Sequence, residues 1–243
     1  MESNSFKAGM AEALGVFFLV FVGSSAICMD MHMTGPDRVG FGLLGIALAH
    51  GLALAIGVYA TAGISGAHLN PAVTVALLVN GKISGSRAIT YIVMQIVGAV
   101  IAALFVFGMF TKMREGLPWL GTPSYPDNPL TEGAISMPKA IGIEAILTFL
   151  LVMTVLMTAV DAARAAKQLF GLCIGGAVSM AILIGGPYTG AALNPARYFG
   201  PAVVSGHVSQ MATYIVGPLL GGLAAALLYR FVFATRESSS PPA

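Results

Sequence analysis

Apolar residues fall in six long stretches, roughly 8–28, 40–61, 88–110, 139–160, 169–186 and 210–233, separated by short polar links. Crossing about 30 Å of hydrocarbon takes ~20 mostly apolar residues, so each stretch predicts one membrane-spanning helix. Two further apolar pieces, Pro71–Asn80 and Pro195–Ser205, hold about ten residues each and at ~1.5 Å per residue reach only ~15 Å. They predict half-spans.

Each half-span opens inside a repeated string, GAHLNPAVT from Gly66 and GAALNPARYFGP from Gly190. Asn is a strong N-cap and Pro is favoured at the first helical position, so Asn70-Pro71-Ala72 and Asn194-Pro195-Ala196 each write a helix start. One string follows the second span and the other the fifth, so the half-spans leave toward opposite faces and the two halves are inverted. Their N-termini then meet near the midplane with unsatisfied donors and partial positive charge. Irregular backbone at that depth is tolerated only where it is buried in protein or lines a water-filled cavity. The segments Gly66–Leu69 and Gly190–Leu193 are therefore expected to present carbonyl acceptors to a pore, with Gly66, Ala67, His68, Gly190 and Ala192 as candidates. The amides of Asn70 and Asn194, turned toward the lumen, are the donors halfway along it.

Composition agrees with a bilayer. The chain is 57% hydrophobic and 9% charged, with a mean hydropathy of +0.86, outside the range of soluble domains. The apolar run from Ala11 to Ile27 is too long for a signal-peptide core and is kept as the first span. A net charge of +2 is too small to imply a nucleic-acid partner. Cys28 and Cys173 are read as free thiols; no metal-ligand cluster or cofactor motif is present in the sequence, and the candidate metal, cofactor and catalytic sets are empty.

Basic residues set the orientation. The side holding both termini collects Lys7, Lys82, Arg87, Arg164, Lys167, Arg230 and Arg236, against Arg38, Lys112, Arg114 and Lys139 on the other. Both termini are expected in the cytoplasm, the membrane being the plasma (cell inner) membrane.

A glutamate followed by an aromatic and aliphatic run opens each half: EALGVFFLVF from Glu12 and EAILTFLLVM from Glu144. An intramembrane carboxylate is costly and is either functional or paired. The favoured reading makes Glu12 and Glu144 scaffold, accepting hydrogen bonds from the unwound backbone before each half-helix. A proton relay, which would make the protein a secondary transporter, is the alternative.

Twin boxes in inverted halves, SGAHLNPAVT and TGAALNPARYFGP with Arg197 directly after the second, resemble the aquaporin family, the major intrinsic proteins. The likeness runs from Glu12 to Gly217-Pro218. It implies an all-α membrane protein of six transmembrane helices plus two half-helices in inverted repeats, an aquaporin-like right-handed bundle. The chain is then one transmembrane channel domain over 1–243, with repeats at 1–110 and 139–233, an external connecting loop at 111–138 and a disordered tail at 234–243. The implied activity is passive passage of water and small neutral solutes by a homotetramer in the lipid bilayer, with a pore in each subunit and no enzymatic chemistry.

The family's narrow filter maps, position by position, onto four residues. They are His50, twenty residues before Asn70; Ile182, fifteen before Arg197; Ala191, three before Asn194; and Arg197 itself. Water-selective members usually carry Phe and His at the first two corners, so this set looks more like vacuolar (TIP-type) and archaeal-type channels. It widens the expected solutes to ammonia, hydrogen peroxide and urea. Glycerol facilitators typically carry Asp after the arginine and a basic residue four positions later, where this chain has Tyr198 and Ala202; glycerol facilitation is the lesser alternative. Tyr214 fits the water-type pattern.

The remaining features are read as packing and surface. Gly171-x-x-x-Gly175 and Gly217-x-x-x-Gly221 have the small-residue spacing that lets membrane helices approach closely. The Lys112–Pro138 connection, with Trp119 and Tyr125, is expected to fold over the pore mouth without forming a full helix. The short DAARAAKQ link carries no obvious lid, so an ungated channel is expected.

Overall fold

The computed structural model describes residues 5–35, 39–110, 119–125, 127–128, 133–161 and 168–234. Eight α-helices follow in order: α1 Ser5–Met33, α2 Gly42–Ser65, α3 Pro71–Val79, α4 Gly85–Met109, α5 Met137–Val155, α6 Phe170–Thr189, α7 Pro195–Ser205 and α8 Met211–Leu228. One π-helical turn each prolongs α5 (Leu156–Val160) and α8 (Tyr229–Phe233). Six helices, so extended, are long and apolar enough to cross a membrane; α3 and α7 are the short ones. The fold is helical, with the six spans and two half-spans that the hydropathy pattern predicted.

Boundaries move by a few residues. The first span runs on to Met33, and α5 begins at Met137 with Pro138 in its first turn, where the missing N–H would have been unpaired in any case. The outer connection is therefore shorter than read. Within it lie a 3-10 turn, Trp119–Gly121, and two-residue strands, Asp127–Asn128 and Gly133–Ala134, paired antiparallel. Arg38, Lys112, Arg114, Arg164, Lys167, Arg236, most of the DAARAAKQ link and the tail beyond Ala234 lie outside the described residues.

The helices pack as two related sets: α1 on α2 and α4, and α5 on α6 and α8, with α2 against α6 joining them. Each half-helix nests against the last helix of the other set, α3 on α8 and α7 on α4. Glycine permits the closest approaches. A Cβ at Gly175 would overlap the Gly51 carbonyl of α2, and one at Gly221 the Ala145 carbonyl of α5, so both small-residue motifs mark helix contacts. At the face holding the start of α1, Arg230 Nη1 donates to the Val79 carbonyl at 3.1 Å, tying the end of α8 to the end of α3.

Candidate functional site: a central cavity between two half-helix starts

Both half-helices begin as their sequences dictate. Asn70 is extended, its Oδ1 accepts from Ala72 N at 2.8 Å, and Pro71 opens α3. Asn194 repeats this at α7, its Oδ1 accepting from Ala196 N at 3.0 Å and Arg197 N at 3.3 Å. The preceding helices stop on left-handed caps, Gly66 with φ 89° and Gly190 with φ 72°, conformations that glycine adopts freely.

The backbone between cap and box is less comfortable. Ala67, Leu69, Ala191 and Leu193 all have positive φ, between 46° and 54°, a region costing about 1–3 kcal/mol per residue unless the surroundings over-determine it. Here two buried carboxylates do so. Glu12 Oε1 accepts from Ser65 Oγ (2.6 Å) and His68 N (2.9 Å), and its Oε2 from Leu69 N (2.6 Å) and Gln95 Nε2 (2.7 Å). Glu144 Oε1 accepts from Thr189 Oγ1 (2.6 Å) and Ala192 N (3.0 Å), and its Oε2 from Leu193 N (2.9 Å). Charge-assisted bonds of this kind are the strong class. With their oxygens so occupied, neither carboxylate borders the cavity.

Several supporting residues escaped the sequence reading. Ser65 and Thr189 occupy the same place in the two halves, each hydroxyl donating to its glutamate and accepting from the backbone two residues on, Ala67 N and Ala191 N. Tyr91 donates to the Ser65 carbonyl at 2.7 Å and Tyr214 to the Thr189 carbonyl at 2.6 Å. The repeated strings Ser65-Gly66-Ala67 and Thr189-Gly190-Ala191 carried a signal for the hydroxyls; Tyr214 had entered only through the resemblance, without this role, and nothing local marked Tyr91.

A cavity runs past these elements. Asn70, Asn194, His50, Ile182, Ala191 and Arg197 all line it, with Ala67, His68, Ala192 and Leu193 along the unwound segments. Gly66 and Gly190, expected to contribute carbonyls, are not among the lining residues; their N–H groups close α2 and α6 on the Ala62 and Gly186 carbonyls. The rest of the wall is apolar: Leu19, Leu54, Val58, Val73, Leu151, Val155, Ile174 and Val178. The carbonyls of Leu69 and Leu193 are engaged from across the centre, by Asn194 Nδ2 at 2.8 Å and Asn70 Nδ2 at 2.9 Å. Each amide uses one N–H in that bond, and no other acceptor is recorded for the second among the described residues. His68 Nδ1 lies 3.2 Å from Thr74 Oγ1, which accepts from Gln95 Nε2 and donates to the Asn70 carbonyl. With the Thr74 hydroxyl donating to the Asn70 carbonyl, the ring donates at Nδ1.

Arg197 is 2% exposed. Its Nη2 donates to the Gly121 carbonyl at 2.9 Å and to His50 Nε2 at 3.2 Å. His50 Nδ1 lies 2.8 Å from the Ile46 carbonyl, which can only accept. The imidazole is thereby held as the Nδ1–H tautomer with Nε2 turned to the arginine. Nη1 is buried and has no partner among the described residues. Trp119 and Leu120, with φ 39° and 58°, deliver the Gly121 carbonyl. Trp119 stacks on His207 with centroids 4.2 Å apart, and Thr122 Oγ1 donates to the Trp119 carbonyl at 2.5 Å. The outer connection thus reaches the arginine through its backbone.

The chain matches known proteins along nearly its whole length. Residues 1–229 match the family described as MIP, major intrinsic protein. A probable aquaporin TIP3-2 of Arabidopsis thaliana is 39% identical over 246 residues, spanning 98% of this chain and 88% of that protein. A probable aquaporin of TIP type from Medicago truncatula is 39% identical over 242 residues, spanning 98% and 92%. The X-ray structure of the aquaglyceroporin from Plasmodium falciparum superposes with a TM-score of 0.80 at 27% identity, over 94% of this chain and 97% of that one.

Proposed function

The chain belongs to the major intrinsic protein family, a multi-pass membrane family of water channels rather than enzymes, and from that premise we propose how this member selects what it conducts. It is a passive channel for water and for the small neutral solutes ammonia, hydrogen peroxide and urea, and it excludes ions and protons. His50, Ile182, Ala191 and Arg197 form its selectivity filter; Asn70 and Asn194 are the donors at its centre.

The observation that carries this reading is the pairing of two half-helix N-termini across one cavity, each capped by an asparagine that also bonds the opposite box. Water crossing the apolar stretches has few partners until it meets two amide donors side by side. Donors there turn the central water's hydrogens outward, which breaks a proton wire, and the two dipole ends together with the Arg197 charge repel cations. Glu12 and Glu144 are met by four and three donors and stand off the cavity, which argues against a titrating coupling site. His50 and Ile182 replace an aromatic and a basic corner, making one wall polar in a new place and the facing wall apolar.

We further propose that the protein works as a homotetramer in the plasma membrane with both termini cytoplasmic. The orientation rests on the basic residues at the start of α1, between α3 and α4, in the first turn of α4 and at the end of α8: Lys7, Lys82, Arg87 and Arg230.

Stopped-flow light scattering of proteoliposomes under sucrose, urea and ammonia gradients tests the reading. The expected result is rapid, non-saturable flux that ignores membrane potential. Saturation, or dependence on a sodium or proton gradient, would instead make the protein a transporter.

A further inference from the structure

Against the tip of the His50 ring stands a residue with no side chain. Gly23 of α1 is buried and does not line the cavity. A Cβ built there would have three nearest neighbours, all atoms of the His50 ring: Cε1 at 2.9 Å, Cδ2 at 2.5 Å and Nε2 closer still. Carbon atoms do not approach to such distances without displacement, so the ring tip occupies the space a methyl group would take. The same Nε2 accepts from Arg197 Nη2 at 3.2 Å, and the ring's other nitrogen is tied to the Ile46 carbonyl at 2.8 Å.

We infer that Gly23 is a positioning residue for the filter: its bare backbone is the rear wall against which the His50 imidazole seats, and that seat sets both the aperture and the anchoring of Arg197. The imidazole has three constraints, the α2 carbonyl at Nδ1, the guanidinium at Nε2 and the α1 backbone behind. The two hydrogen bonds aim the ring, and the glycine decides how far it withdraws from the lumen. A side chain at residue 23 moves the ring forward by roughly 1 Å to reach ordinary contact near 3.5–4 Å. That displacement narrows the passage and strains or breaks the bond to Arg197, leaving Nη2 with the Gly121 carbonyl alone. A fourth helix, α1, which carries none of the four filter corners, thereby enters the determination of what passes.

The test is a cycle of Gly23→Ala and His50→Ala, singly and together, in the full-length protein. Relative to the parent, Gly23→Ala is expected to lower water permeability per assembled channel roughly fivefold, the factor given by ~1 kcal/mol of added barrier. In the His50→Ala background, where no ring remains to displace, the same substitution is expected to change permeability less than roughly twofold, a few tenths of a kcal/mol by the same relation. Equal losses in both backgrounds would mean that Gly23 acts through helix packing alone, and no loss in either would overturn the proposal outright. If Gly23→Ala fails to assemble, recovery of assembly in the double variant supports the inference and continued failure refutes it.

The flux arm rests on the channel reading; a second arm does not. Nitrogen-15 NMR of histidine-labelled protein, with the His50 signals assigned by their loss in His50→Ala, reads the imidazole directly. Gly23→Ala is expected to shift the His50 Nε2 resonance while leaving His32 and His207 in place. An unmoved Nε2 signal sinks the proposal whatever the flux does.

Discussion

Asn70 and Asn194 each close the other's box: Asn70 Nδ2 donates to the Leu193 carbonyl at 2.9 Å and Asn194 Nδ2 to the Leu69 carbonyl at 2.8 Å. Each side chain also caps its own half-helix, so one residue does local and long-range work together. The reciprocity is not quite symmetric. Asn194 Oδ1 holds two backbone N–H groups where Asn70 holds one, and Thr148 Oγ1 also reaches the Leu193 carbonyl at 3.4 Å.

From that asymmetry, Asn194→Ala should destabilise the protein more than Asn70→Ala. Losing a cap costs about 0.5–2 kcal/mol, and a buried carbonyl left without its donor about 1–3 kcal/mol. After Asn70→Ala the Leu193 carbonyl keeps Thr148. Thermal unfolding of the purified variants, followed by circular dichroism, should place Asn194→Ala at the lower midpoint; the reverse order would refute the accounting.

Replacing Glu144 by Gln leaves the volume unchanged but puts an amide NH2 where an oxygen accepted. At least one of Thr189 Oγ1, Ala192 N and Leu193 N then loses its acceptor. A stability loss of about 1–3 kcal/mol is expected. Channels that stay folded should hold a pH gradient as tightly as the parent. Proteoliposomes carrying a pH-sensitive dye would expose a relay role as parental proton movement that the variant abolishes.

Arg197→Val removes the buried guanidinium and frees the Gly121 carbonyl and His50 Nε2. Water should still pass, while proton or cation conductance rises modestly because the paired dipole ends remain. Conductance measured in planar bilayers decides it. Leakage like that of an open ion channel would assign the whole barrier to the arginine, and no change would take Arg197 off the conduction path.

Exchanging the two departing filter corners, as His50→Phe with Ile182→His, should cut urea and ammonia permeability relative to water. Phe cannot accept from Arg197 Nη2, so part of the change would come through the arginine losing its 3.2 Å partner. Unchanged solute ratios in stopped-flow assays would mean that these residues do not set the constriction.

The element pattern was legible because it rests on nearest-neighbour chemistry. Twenty apolar residues demand a helix in hydrocarbon, and Asn-Pro starts one whatever lies elsewhere in the chain. The two intramembrane carboxylates were readable for a related reason: a charge at that depth must be met by donors, and the unwound strings two helices away were the obvious supply. The filter corners came from register within a resemblance, not from physics local to His50 or Ile182.

What only the tertiary structure decided is how these parts face one another. The choice of Leu193 and Leu69 carbonyls as the amides' partners spans 123 and 125 residues of sequence, and the His50 to Arg197 bond spans 147. The left-handed turns at Ala67, Leu69, Ala191 and Leu193 run against each residue's own preference and persist because Glu12 and Glu144, from other helices, hold the adjoining N–H groups. Gly23 read as one small residue among many in α1, until packing set its bare backbone against the imidazole. Sequence alone determined the six spans, the two half-helix starts and the need to satisfy two buried charges, since each follows from the cost of exposing polar groups to lipid. Side-chain aim and pore aperture are sub-ångström consequences of several helices packing at once, and no local stretch of chain contains that information.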